Sequence, residues 1–178
     1  MKPICLPFSD NDKEEYKFDS DGELLNVTVA GWGATDPRGK NNNLYFTSRI
    51  WPLIFNGHEH IYLSLNLLLG RHTADKLQTI DLNTFDGEKC RETYKKRGGI
   101  LSEQSQLCVG GKKGLDSCVG DSGSGLMACD KNPGDFLCRW RLVGIVSFGP
   151  RICGTENVPG VYSRVRHYIQ WILDNVEP

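Results

Sequence analysis

Gly120-Asp121-Ser122-Gly123-Ser124-Gly125 is the stretch whose reading decides the fold. A serine set between glycines and preceded by an aspartate sits on backbone free to bend sharply. Such a bend can expose the hydroxyl and turn two backbone N–H groups toward one point. An anion formed on a carbonyl attacked by Ser122 could be held at that point. A serine hydroxyl is a poor nucleophile until a base removes its proton, so the loop implies a partner elsewhere.

Working outward, the chain has 178 residues, enough for one domain with a real core. Its formal charge is −1 with acids and bases interspersed, which gives no support for nucleic acid or an anionic membrane as partner. Twenty glycines and short Val/Ile/Thr-rich runs between turn signals suit a loop-rich all-β domain. The seven cysteines, at 5, 90, 108, 118, 129, 138 and 153, show no zinc-type spacing. They read as a disulfide framework in an oxidising compartment, with one thiol left over and the pairing open on spacing alone. Asn26-Val27-Thr28 is a glycosylation sequon that fits secretion. No signal peptide follows Met1, which suggests an incomplete chain, and no run is long enough to span a membrane.

Alternating or apolar runs predict strands over 25–33, 76–82, 106–110, 125–130, 139–148 and 160–164, with 125–130 and 139–148 forming a hairpin. A short charged helix is expected over 86–97 and a terminal helix from Val165, where Tyr168, Ile169, Ile172 and Leu173 recur at helical spacing. Residues 44–72 stand apart as an anomalous apolar insert with a single acid, Glu59. Read-through of untranslated sequence is the favoured explanation and a docking insertion the other; exposed on a loop, the stretch would risk aggregation. His58-Glu59-His60 lies within it and lacks a third metal ligand, so no metal site or cofactor is expected.

Five blocks in order resemble the trypsin-like serine proteases: Pro3-Ile4-Cys5-Leu6-Pro7, Val29-Ala30-Gly31-Trp32-Gly33, Asp116-Ser117-Cys118 with the Ser122 loop, Val143 to Gly149, and Pro159 to Val165. The Ile-Cys-Leu-Pro start and the Cys129/Cys138 spacing are most similar to the arthropod clip-domain proteases of zymogen cascades. The resemblance covers 1–43 and 73–178. It implies an all-β chymotrypsin-like fold, of which 1–178 supplies the linker, the second antiparallel Greek-key barrel and the C-terminal α-helix. The first barrel is missing, and with it the histidine and aspartate that would lie before Met1.

The resemblance also assigns roles. Ser122 is the nucleophile and the N–H groups of Gly120 and Ser122 the oxyanion donors. Asp116 is the floor of a pocket that selects Arg or Lys, with Ser117 beside it and Gly149 and Gly160 as bare walls. Ser147, Phe148 and Gly149 offer backbone bonds to an extended substrate. Asp121 pairs in the family with a new amino terminus made on zymogen cleavage; without one, an unpaired carboxylate and a disordered or zymogen-like loop are expected here. Implied disulfides are Cys90–Cys108, Cys118–Cys153 and Cys129–Cys138, leaving Cys5 to tie the domain to an upstream segment or light chain. Ser124 stands where the family usually has glycine, which puts the loop geometry in question.

These readings together imply a secreted serine endopeptidase cleaving after Arg or Lys in its parent protein. Its partners would be protein substrates and serpin-type inhibitors, and this piece alone would be inactive. The rival reading is a non-catalytic homologue acting as a binding or decoy module.

Overall fold

The computed structural model describes residues 4–7, 26–35, 74–130 and 139–176. The 44–72 insert, with His58 and His60, lies outside them, as does Cys138. In chain order the elements are β1 (Asn26–Gly31), β2 (Gln78–Asn83), α1 (Gly87–Lys95), β3 (Gln106–Gly110), β4 (Gly125–Asp130), β5 (Arg139–Phe148) and β6 (Pro159–Arg164). A 3-10 turn (Val165–Tyr168) then leads into α2 (Ile169–Asn175).

The six strands form one antiparallel sheet in the order β2-β1-β4-β5-β6-β3. A bridge between Thr84, just past β2, and Val109 of β3 brings the two edges together, so the sheet curls into a half-barrel. This is the mostly antiparallel half-barrel with a short C-terminal helix expected of a chymotrypsin-like fold.

Alternation builds the interior. In β1 the side chains of Val27 and Val29 point inward and are buried, while Asn26 is exposed. They pack with Leu82, Leu107, Val109, Leu126, Ala128, Val143, Val146 and Tyr162. Each large apolar side chain removed from water this way contributes roughly 1.5–3 kcal/mol. A second cluster joins Cys90 and Tyr94 of α1 to Cys108, Val158 and Val161. Its helix face follows from Cys90 and Tyr94 being four residues apart. Asp86 caps α1 by accepting from the Lys89 N–H at 2.8 Å, and the basic Lys95 lies in the last turn. The Cys90–Cys108 disulfide ties α1 to β3.

Two bulges shape β5. Pairing with β4 runs Leu126 to Gly144 and then Met127 to Leu142, leaving Val143 as the extra residue. Pairing with β6 runs Val146 to Tyr162 and then Phe148 to Val161, leaving Ser147 extra. Bulges re-aim backbone groups, and the second falls where strand addition was expected. Cys5 makes a bridge to Arg141, its N–H donating to the Trp140 carbonyl at 3.4 Å and its own carbonyl accepting from Leu142 at 2.9 Å. The Cys5 thiol is exposed and bonded to no described cysteine.

Candidate active site

The loop from Asp116 to Ser124 is held from both sides. Gly123 N–H donates to the Val146 carbonyl, and Val146 N–H donates back to the Ser124 carbonyl, both at 2.9 Å. These bonds set Ser122, which is exposed, against the end of β5. The bends use Gly120 (φ 101°) and Gly123 (φ 84°). Ser124 is not in the left-handed region, so its replacement of a glycine imposes no strain. Among the described residues, the N–H groups of Gly120 and Ser122 donate to no backbone acceptor.

Asp121 corrects one expectation. Its carboxylate was expected to be unpaired and its loop disordered or zymogen-like; the unpaired carboxylate is what the structure overturns. Instead, Oδ1 accepts from Gly33 N–H at 2.7 Å and Oδ2 accepts from Cys118 N–H at 2.9 Å. The reason is the approach of Gly31-Trp32-Gly33. A Cβ on Gly31 would lie 2.1 Å from the Asp121 carboxylate, and one on Gly33 would lie 2.3 Å from it. Only bare backbone can come so close, and that closeness supplies the donor. A further bond, Ala34 N–H to the Val119 carbonyl at 2.8 Å, joins the same two segments.

Asp116 lies among glycines. Its Oδ2 accepts from Gly154 N–H at 3.0 Å, while Oδ1 is buried with no partner. A Cβ on Gly160 would sit 3.1 Å from Oδ1, and one on Gly149 would sit 4.0 Å from Oδ2. The missing side chains leave room beside an anion whose second oxygen has nothing to bind. Burial pushes the Asp116 carboxyl up to about 6, against the pull of the Gly154 and Ser117 N–H groups. A buried acceptor without a donor is costly and calls for an explanation. The Cys118–Cys153 disulfide joins the two sides of this space.

Sequence reasoning did not single out the tyrosines behind Asp116. The Tyr162 hydroxyl shares a hydrogen bond with Ser117 Oγ at 2.9 Å, and burial holds its acidity well below that of a free tyrosine. The Tyr94 hydroxyl donates to the Pro159 carbonyl at 2.7 Å, and its ring meets Phe148 edge-on with centroids 5.7 Å apart. Burial, with Asp116 adding to it, pushes Tyr94 up to about 12. Tyr162 belonged to a quoted block, yet nothing in its pattern distinguished it from an ordinary strand residue. The structure thus brings Ser117, Gly149, Gly160 and Asp116 together, and Gly120, Asp121 and Ser122 on the adjoining turn. Cys129 is disulfide-bonded; its expected partner, Cys138, is outside the described residues. His167 is the one histidine among the described residues, and it stacks edge-on against Tyr168 beside the terminal helix.

Comparison with known proteins agrees with this geometry. The family described as Trypsin matches residues 66–172, a match that begins inside the 44–72 stretch. CLIP domain-containing serine protease B15 of Anopheles gambiae is 33% identical over 172 residues, covering 97% of this chain and 35% of the relative. Serine protease ea of Drosophila melanogaster is 32% identical over 177 residues, covering 99% of this chain and 35% of the relative. Phenoloxidase-activating factor 3 of Holotrichia diomphalia is 32% identical over 176 residues, covering 99% and 37%. The chain spans about a third of the length of the curated relatives it matches.

Proposed function

Because the chain belongs to the trypsin family of serine proteases, we propose that it forms the half of a secreted endopeptidase domain that carries the nucleophile and reads a basic residue. The observation that carries the reading is the buried Asp116 Oδ1, unpartnered and facing space left by Gly149 and Gly160. A guanidinium or ammonium fits such an acceptor because it brings donors and the opposite charge at once. Arginine or lysine is therefore the residue whose peptide bond is cleaved.

The chemistry follows from the turn. The Ser122 hydroxyl adds to the scissile carbonyl carbon while a base takes its proton, and the oxyanion accepts from the N–H groups of Gly120 and Ser122. Collapse expels the amine, which leaves with the proton, and water then hydrolyses the acyl-enzyme. The one histidine among the described residues, His167, lies against Tyr168 beside the terminal helix, and on this reading the base and the carboxylate that orients it belong to another part of the parent domain. Protein substrates, control by zymogen cleavage and serpin-type inhibitors are the matching partners. The exposed Cys5 thiol beside β5 supports a link to an upstream segment.

On this reading the chain alone supplies the nucleophile and not its base. Incubation with a fluorophosphonate probe is expected to label wild-type chain no faster than Ser122→Ala, because triad loss costs on the order of 10⁴-fold or more in rate. Rapid labelling at Ser122 would show that a base is present after all.

A further inference from the structure

Beyond a basic residue at the Asp116 space, the molecule has a second charged contact for the same peptide. We infer that Arg151 is a specificity-determining residue that favours an acidic side chain roughly three to four residues upstream of the basic one. This inference rests on the reading of Asp116 and Ser122 given above.

The direction of the peptide follows from the strand pairings. Along one edge, β5 pairs with β4 only as far as Ile145, and Val146 is then taken by Gly123 and Ser124. On the other edge β6 occupies Val146 and Phe148 and skips Ser147. Among the described residues nothing pairs with the backbone groups of Ser147 and Gly149 that face away from β6, an edge where an extended peptide can add. Its reacting carbonyl must lie at Ser122, against the Val146 end. The residues before it must then run toward Gly149 and past it. With the basic residue level with Ser147, the second residue upstream is level with Gly149, and those beyond it pass Arg151.

Arg151 is held in that place by its neighbours. The segment from Gly149 to Gly154 arches beside the Asp116 carboxylate, approaching it at Gly149 and bonding to it through Gly154 N–H at 3.0 Å. Cys153 anchors the arch to Cys118. Arg151 is exposed on it, between Pro150 and an Ile152 that is 53% exposed. Among the described residues no ion pair engages its guanidinium; the described salt bridge, Arg91 to Glu103, is elsewhere. Glu156 belongs to the next turn, which is drawn away by the Asn157 N–H bond to the Gly111 carbonyl at 2.8 Å. Asp116 itself is half-buried, and its buried Oδ1 is satisfied by the incoming base. A cation left unpaired on the path of the peptide attracts an acid there and repels a base.

The test uses the full chain and four fluorescein-labelled peptides, read by anisotropy at low salt. Each ends in arginine or its uncharged analogue citrulline, and each carries Glu or Lys at the upstream position. The expected result is that the Glu peptide ending in arginine binds about fivefold tighter than the Lys one, as suits an exposed ion pair. Arg151→Glu should reverse this order while keeping the preference for arginine over citrulline. Raising the salt to about 0.3 M should shrink the ratio toward unity. Arginine-dependent binding with no Glu/Lys ratio, or a ratio that Arg151→Glu leaves unchanged, would overturn the inference alone. Equal binding of arginine and citrulline peptides would overturn the proposed function and this inference with it.

Discussion

Asp116→Asn is expected to lower the affinity of the chain for arginine-ending peptides by at least about a hundredfold, because it leaves a buried guanidinium without its counter-charge. The same change is expected to act on stability with a distinct pH signature. In the folded chain the Asp116 carboxyl titrates at about 6, against 3.8 when unperturbed. The native state therefore holds this proton more tightly than the unfolded chain. Its contribution favours folding fully below the unfolded value and is lost as pH rises through the folded one. Above that window wild-type chain carries an ionised carboxylate with an unpaired buried oxygen, and Asn carries no charge. The stability of Asp116→Asn relative to wild type should be greater at pH 8 than at pH 4 by about 1–2 kcal/mol, after allowance for partial solvent screening. Urea unfolding at the two pH values measures the difference. A relative stability that does not change with pH would mean that Asp116 is solvated and its surroundings are not the dry space described.

Gly33→Ala is expected to be strongly damaging for a change of one methyl group. The new Cβ would lie 2.3 Å from the Asp121 carboxylate, so either the carboxylate or the Gly33 strand must move. Moving the carboxylate breaks both of its bonds, to Gly33 N–H and Cys118 N–H. A cost of about 2–4 kcal/mol follows from overpacking together with a buried charge stripped of donors. Because Asp121 directly precedes Ser122, arginine-peptide binding should fall with it. Gly87→Ala is the control; its Cβ would meet only the tip of Arg91 at 3.6 Å, so its effect should stay within about 0.5 kcal/mol. A double-mutant cycle isolates the cause. In an Asp121→Ala background the obstructing atoms are gone, and Gly33→Ala should then cost less than about 1 kcal/mol. An undiminished cost in that background would place the damage somewhere other than the carboxylate.

Much of the fold was legible because its signals are local. The bounds expected for β3, β4 and β5 are those observed, since each run is apolar or alternating and ends at a turn signal. The terminal helix was expected from Val165, but its first turn is 3-10 and α2 begins only at Ile169. Helical spacing does not distinguish the two kinds of turn. What sequence could not supply were contacts between distant segments. Gly33 and Asp121 are 88 residues apart, and nothing in either stretch announces that one caps the other. The expectation of an unpaired Asp121 failed for that reason. The bulge at Ser147 was equally hidden, because an extra residue in a strand leaves the composition of the strand unchanged. The site residues quoted from the resemblance are found on the 116–122 loop, at the end of β5 and in β6, but the orphaned Oδ1 of Asp116 appears only in three dimensions.

The central claim is that the N–H pair beside Ser122 and the carboxylate of Asp116 form one site that binds both ends of an arginine residue. A peptide with a free C-terminal arginine, added to the ¹⁵N-labelled full chain and followed by amide NMR, tests it most directly. Its carboxylate should shift the Gly120 and Ser122 amides while its guanidinium shifts Gly154, along one binding curve, and citrulline in place of arginine should abolish all three shifts. Shifts at only one of these places, or the same shifts with citrulline, would contradict it.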